Sequence, residues 1–258
     1  MNAIVHLLAT VRKPELLPAA LLVFKTLRTG FPTAPVFVWG NALAAEAAAA
    51  VARETARVGG TFRNLCLTCH DRWIETLVQT ASEPFWICDT DMVFWAKVEG
   101  WTMPALFSGR YEPEFAEEWM HTRHVARLHT CLMQFNPGPL RAALRGWACQ
   151  FPQPWRQTAE FPFIRMHFIP ALDSDPLCYD TCAGLWQAGL GTPFTEEQNA
   201  AFEHLHCATY VDAITTGLRS NLAAAHAQVY ADPERARGFR TQQADYYRTR
   251  TLEPVNSH

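Results

Sequence analysis

Phe85-Trp86-Ile87-Cys88-Asp89-Thr90-Asp91-Met92-Val93-Phe94 places two carboxylates two residues apart between two apolar runs. A continuous apolar run of four, bounded by polar residues, suits a strand buried on both faces of a parallel sheet. Asp89 then falls at the carboxyl end of that strand. Two carboxylates so placed can share one hard divalent ion such as Mg²⁺ or Mn²⁺, which prefers oxygen ligands and keeps substrate phosphates in its shell. A bare Asp-x-Asp also occurs by chance in solvated turns, so its setting decides its weight.

The setting is regular. Working back from Asp89, Asp71 to Ala81 reads as a helix with Ile74, Leu77 and Val78 on one side, and Thr61 to Leu65 as a strand. Ala42 to Val58 is a helix by propensity, stopped by Gly59-Gly60. Pro35 to Trp39 is a strand and Gly40-Asn41 its turn. Pro14 to Gly30 reads as one helix with Leu16, Leu17, Ala20, Leu21, Phe24 and Leu27 on its apolar face. Ala3 to Leu8 is the first strand. Four strands alternating with three helices predict an α/β fold: a Rossmann-like, mostly parallel sheet flanked by helices. Ligands of such sheets bind beyond the carboxyl ends of the strands, where Thr10, Arg12, Asn41 and Asp89 converge.

Downstream the pattern loosens. Ala105 to Gly109 and Thr130 to Phe135 read as strands, a helix starts at Leu140, and Pro152 to Phe168 reads as irregular or as an edge strand. Asp180 to Ala188 reads as a helix, Phe202 to Thr209 as a strand, and Tyr210 onward as mostly helix. No repeat or linker divides the chain. The expectation is a single domain over 1–258, with a nucleotide-binding half at 1–109, an acceptor-side half at 110–231 and a tail at 232–258.

Composition narrows the function. The 258 residues carry a formal charge of -3, against the basic surplus of a protein that lives on nucleic acid. Arg235, Arg237, Arg240, Arg248 and Arg250 are interrupted by acids and read as a solvated face. No window reaches the roughly 20 apolar residues of a membrane span, and the start lacks the pattern of a signal peptide, so a cytoplasmic protein with reduced thiols among its 8 cysteines is expected. Cys66-Leu67-Thr68-Cys69-His70 has the spacing of a c-type haem attachment. That reading is rejected, because such attachment implies export and the segment lies inside a regular strand-to-helix connection.

The segment from Phe85 to Phe94 resembles the DxD segment of GT-A glycosyltransferases. His70, opening a helix some twenty residues upstream, and Pro35 to Asn41, a strand ending in Asn, are similar to features of the same family. The resemblance implies a transferase moving a hexosyl or pentosyl group from a nucleoside diphosphate sugar, uridine favoured, to an acceptor it does not identify. It implies Asp89 at ribose or metal and Asp91 at metal. It makes Thr10, Arg12, Asn41 and His70 candidates for donor contacts. The family often completes the metal shell with a late His, and Phe202-Glu203-His204-Leu205-His206 resembles that element, leaving His204 and His206 both open. Acids of the second half often activate the acceptor hydroxyl in inverting members; Asp173, Asp175 and Asp180 are available, with helix N-capping the rival role for Asp180. A sugar-phosphate nucleotidyltransferase is a second reading, weakened because Ala9 to Lys13 has no glycine. A non-catalytic nucleotide-sugar-binding module is the third.

Overall fold

The computed structural model describes residues 3–11, 14–66, 68–117, 122–148, 164–169, 176–205 and 231–236. Four parallel strands come first: β1 (Ile4–Ala9), β2 (Val36–Asn41), β3 (Thr61–Leu65) and β4 (Phe85–Cys88). They join β6 (Phe107–Glu112), β9 (Arg127–Phe135) and β12 (Gly191–Pro193) in one seven-stranded sheet of order β12-β6-β9-β4-β1-β2-β3. Its pairings are parallel except where β9 lies antiparallel to β4 and to β6. The chain is thus a mixed α/β protein with a mostly parallel sheet, as its sequence predicts. Strands from both sequence halves share that sheet.

Alternation along the strands assigns each residue to a face. Trp86 and Cys88 of β4 join Val5, Leu7, Val36 and Val38 in one apolar cluster, covered by Phe24, Leu27, Phe31 and by Val51 of α3 (Ala45–Arg57). Phe85 and Ile87 point the other way, into a cluster with Ile74, Leu77 and Val78 of α4 (His70–Thr80) and Leu140 and Leu144 of α5 (Pro137–Ala148). Phe85, Ile87 and Trp86 are at most 2% exposed. Truncating one such side chain to Ala costs about 2–5 kcal/mol.

The expected helix over Pro14–Gly30 is broken. It comprises a 3-10 turn at Pro14–Leu16, α1 (Leu17–Ala20), a second 3-10 turn at Leu22–Lys25, and α2 (Leu27–Gly30). Two long-range hydrogen bonds account for the break. Val23 N–H donates to the Thr90 carbonyl at 2.9 Å instead of to its own helix, and Thr26 Oγ1 accepts the Phe94 N–H at 2.9 Å. Gly30 allows α2 to sit against β5 (Met92–Phe94), since a Cβ there would lie 2.7 Å from the Phe94 ring. Other expectations shift: the helix expected from Leu140 begins at Pro137, and the one expected over Asp180–Ala188 spans only Ala183–Gln187. The fifth predicted strand begins at Phe107 rather than Ala105 and runs to Glu112, and the sixth begins at Arg127 rather than Thr130.

Two small sheets complete the described residues. One has the order β10-β11-β8-β7, built of β7 (Phe115–Glu117), β8 (Thr122–His124), β10 (His167–Ile169) and β11 (Leu177–Tyr179). The other pairs β5 with β13 (Phe202–His204), antiparallel, with His204 opposite Met92. Short helices α6 (Ala183–Gln187) and α7 (Glu196–Ala200) precede β12 and β13 respectively. No helix among the described residues is long and apolar enough to cross a membrane.

Candidate metal centre

The site grows from the carboxyl end of β4. The Asp89 N–H continues the ladder to β9 by donating to the Cys131 carbonyl at 2.8 Å. The next turn is held by Val23, and β5 then pairs with β13, with a further bond from Leu205 N–H to the Asp91 carbonyl at 3.2 Å. These bonds bring the late His to the acid pair. His204 Nε2 lies 3.1 Å from Asp91 Oδ1 and 3.6 Å from Asp89 Oδ2. One ligand atom from each of the three lies within 4.8 Å of the others. Two carboxylates and one imidazole form an oxygen-rich donor set that fits Mn²⁺ or Mg²⁺.

The electrostatics suit a cation. The Asp91 and His204 side chains are 7% and 5% exposed, that of Asp89 27%. Burial raises the Asp89 carboxyl above its usual range, and Asp91 and Asp180 push the same way against His70 and His204. For His204, burial alone would lower the imidazole, but Asp91 and Asp89 outweigh it and hold it above its usual value. Carboxylates crowded in a sheltered site are relieved by a bound cation.

His70 opens α4 with Nε2 3.8 Å from Asp89 Oδ1, its ring stacked on Trp73. Cys66 and Cys69 beside it are exposed free thiols. Asn41 faces its neighbours: Nδ2 donates to the Thr68 carbonyl at 3.0 Å and to Thr10 Oγ1 at 3.5 Å, while Oδ1 accepts the Thr68 N–H at 2.8 Å. The amide ties the ends of β1 and β2 to the loop that delivers His70. Ala42 directly after it has a left-handed φ of 53°, a conformation costing a non-glycine residue about 1 kcal/mol.

Asp180 is not the N-cap of α6. That place belongs to Cys182, at a left-handed φ of 65°. Asp180 accepts the Thr181 N–H at 2.7 Å and pairs with Arg127. Arg127, 8% exposed, also reaches Glu112 Oε2 at 2.9 Å through its terminal nitrogen. Burial would lower this guanidinium, but Asp180 and Glu112 hold it more firmly charged than usual. Glu112 Oε2 lies 3.9 Å from His129 Nε2, and the His129 ring lies 5.0 Å from that of His204. Asp180, Arg127, Glu112 and His129 therefore line up beside the Asp89–Asp91–His204 group. Arg110 anchors β13: its guanidinium lies 4.4 Å over the Phe202 ring and donates to the Phe202 carbonyl at 3.3 Å.

Arg12, Asp173, Asp175 and His206 lie outside the described residues. Cys178 and Cys182 are buried, the first on β11 and the second ahead of α6. Trp86 and Trp101 pack edge to face in the core beside Phe194, and Trp39 packs by His6. Sequence reading missed Arg127, His129 and Cys131 as neighbours of the site. The alternation of charge with His and Cys from Arg127 to Cys131 was the available signal.

No family model and no curated protein matches the chain. Solved structures similar to it are glycosyltransferases. They include the galactosyltransferase LgtC in complex with donor and acceptor sugar analogs (11% identity, 57% of this chain and 64% of that one, TM-score 0.39). GlyE of Streptococcus pneumoniae matches at 7% identity over 76% of this chain and 46% of its own, TM-score 0.45. The mannosyltransferase PcManGT of Pyrobaculum calidifontis, in complex with GDP-Man and Mn²⁺, matches at 15% identity over 57% of this chain and 46% of its own, TM-score 0.37. The chain spans less than two thirds of the length of each of these three proteins.

Proposed function

We propose that the chain is a metal-dependent glycosyltransferase of the GT-A type, taking a hexosyl or pentosyl group from a nucleoside diphosphate sugar, UDP favoured, to a hydroxyl-bearing acceptor. The observation that carries this reading is the meeting of Asp89, Asp91 and His204 at the carboxyl end of β4. The three come from a strand end, the turn after it and a strand more than a hundred residues later. A solvated acidic turn would not recruit a buried imidazole.

Asp89, Asp91 and His204 would hold Mn²⁺ or Mg²⁺, which when bound supplies positive charge to a departing diphosphate. The half-exposed Asp89 and His70 face the donor side, and Asn41 and Thr10 fix the floor on which a nucleoside would rest. Arg12 remains a donor contact by proposal. On the other flank, the Asp180 carboxylate, 31% exposed, is held by Arg127. Asp180 is proposed to accept the acceptor proton as general base in an inverting reaction, with Asp175 second. Arg127, shared between Asp180 and Glu112, fixes where that carboxylate points. The whole chain is proposed to act as one domain, because strands of both halves build the sheet that carries the site.

Calorimetric titration of UDP and GDP, with and without Mn²⁺, tests the reading on wild type and Asp91→Ala, with thermal melts to show both are folded. Binding of one nucleotide that requires both metal and Asp91 supports it. Binding indifferent to metal and to Asp91, or no binding of either nucleotide, removes it.

A further inference from the structure

We propose that His129, Cys131 and His204 form a second cation set, suited to a soft divalent ion of the zinc class, which shares His204 with the Asp89–Asp91 group. One ligand atom from each of these three residues lies within 4.8 Å of the others. The donors are two imidazoles and a sulfur, where the neighbouring set offers two carboxylates and an imidazole. Thiolate and imidazole select zinc-like ions, while carboxylates favour Mg²⁺ and Mn²⁺. Two sets of opposite chemical preference therefore meet at one side chain.

The backbone shows why Cys131 reaches this place. Gly109 pairs with Met133, and the next residue, Arg110, pairs with His129. β9 thus advances four residues while β6 advances one, and the surplus residues are His129's successors, Cys131 among them. A bulge of this kind re-aims a side chain. It is pinned on both sides, the Cys131 carbonyl accepting the Asp89 N–H at 2.8 Å and the Cys131 N–H donating to His129 Nδ1 at 3.0 Å. Cys131 is fully buried and His204 is 5% exposed, so an ion here would be shielded from water on the sheet side. Glu112 Oε2, 3.9 Å from His129 Nε2, supplies a nearby carboxylate to orient that ring.

Binding asks for modest changes. Tetrahedral zinc places its sulfur and nitrogen ligands about 3.3–3.6 Å apart, so the side chains close by at most about 1.5 Å. His129 gives up the Cys131 N–H, one neutral hydrogen bond, and the Cys131 thiol releases its proton on binding. An ion held here would engage His204, the residue that also faces Asp89 and Asp91.

Co²⁺ is the probe, because a cobalt thiolate absorbs in the near ultraviolet and a cobalt held only by oxygen and nitrogen does not. The titration uses the full chain with Cys66→Ser and Cys69→Ser, which removes the thiols that are exposed among the described residues, and melting curves check the fold of each variant. The expected result is a charge-transfer band that persists in Asp91→Ala and disappears in Cys131→Ser, with Co²⁺ affinity at least about 10-fold weaker. His129→Ala and His204→Ala weaken it likewise. A band that survives Cys131→Ser, or no band in the parent, overturns the proposal. The inference does not rest on the transferase reading: an intact cobalt band without metal-dependent nucleotide binding sinks the transferase and leaves the soft-ion set standing.

Discussion

Two buried histidines, His6 in the seven-stranded sheet and His204 in the β5–β13 pair, are 8% and 5% exposed and behave oppositely. His6 sits on β1 among Phe37, Trp39 and Phe85. Burial lowers its pKa to about 4, and its Nδ1 accepts the Trp39 indole N–H at 3.2 Å, which fixes a neutral ring. His204 is buried as deeply, yet Asp91 and Asp89 raise it. Burial alone therefore does not separate a structural histidine from a candidate ligand. The charge that faces the ring does.

The largest contrast is expected from deleting the partners. Asp89→Ala with Asp91→Ala should abolish Mn²⁺-dependent nucleotide binding while the His6 region keeps its melting behaviour; calorimetry beside thermal melts reads both. Retained metal-dependent binding would erase the distinction.

Acid titration sharpens the other side. The unfolded chain takes up a proton on His6 near 6.5 and the folded protein only near 4. Stability contributed by neutral His6 is therefore complete above about pH 6.5 and drains away as pH falls toward 4. The loss approaches about 3 kcal/mol. Denaturant unfolding of wild type and His6→Leu across that window should give a sloping difference; parallel pH profiles would show that His6 does not titrate as its surroundings dictate.

A smaller effect belongs to Trp39→Phe, which removes the donor to His6 and should cost about 1 kcal/mol at neutral pH, read in the same unfolding experiment, with nucleotide binding unchanged. Arg110→Met removes the cation over Phe202 that anchors β13. It should lower stability by about 0.5–1 kcal/mol and weaken metal-dependent binding through His204, whereas unchanged binding would free His204 from β13.

What could be read from sequence follows the range of the interactions. β1 to β4 and the acid pair were legible because apolar runs, turn residues and helix faces are local signals. His204 came into view only through the resemblance to the family's late-His element, and could not be told from His206, because alternate strand positions share a face. The break in the first helix was not, since Val23 and Thr26 bond to Thr90 and Phe94, nearly seventy residues away. Nor was the line from Asp180 through Arg127 and Glu112 to His129. It depends on β9 entering the sheet against the direction of its neighbours, and on a register shift no local pattern announces.

The Val23 and Thr26 hydrogen bonds grip the acidic turn from both sides, one at Thr90 and one just past Asp91 at Phe94. A turn already immobilised has little chain entropy left to lose when a ligand arrives. The N-terminal segment, which offers no ligand of its own to the proposed ion, thus sets part of its affinity. Slowed exchange of the Val23 and Phe94 amide protons would report that rigidity.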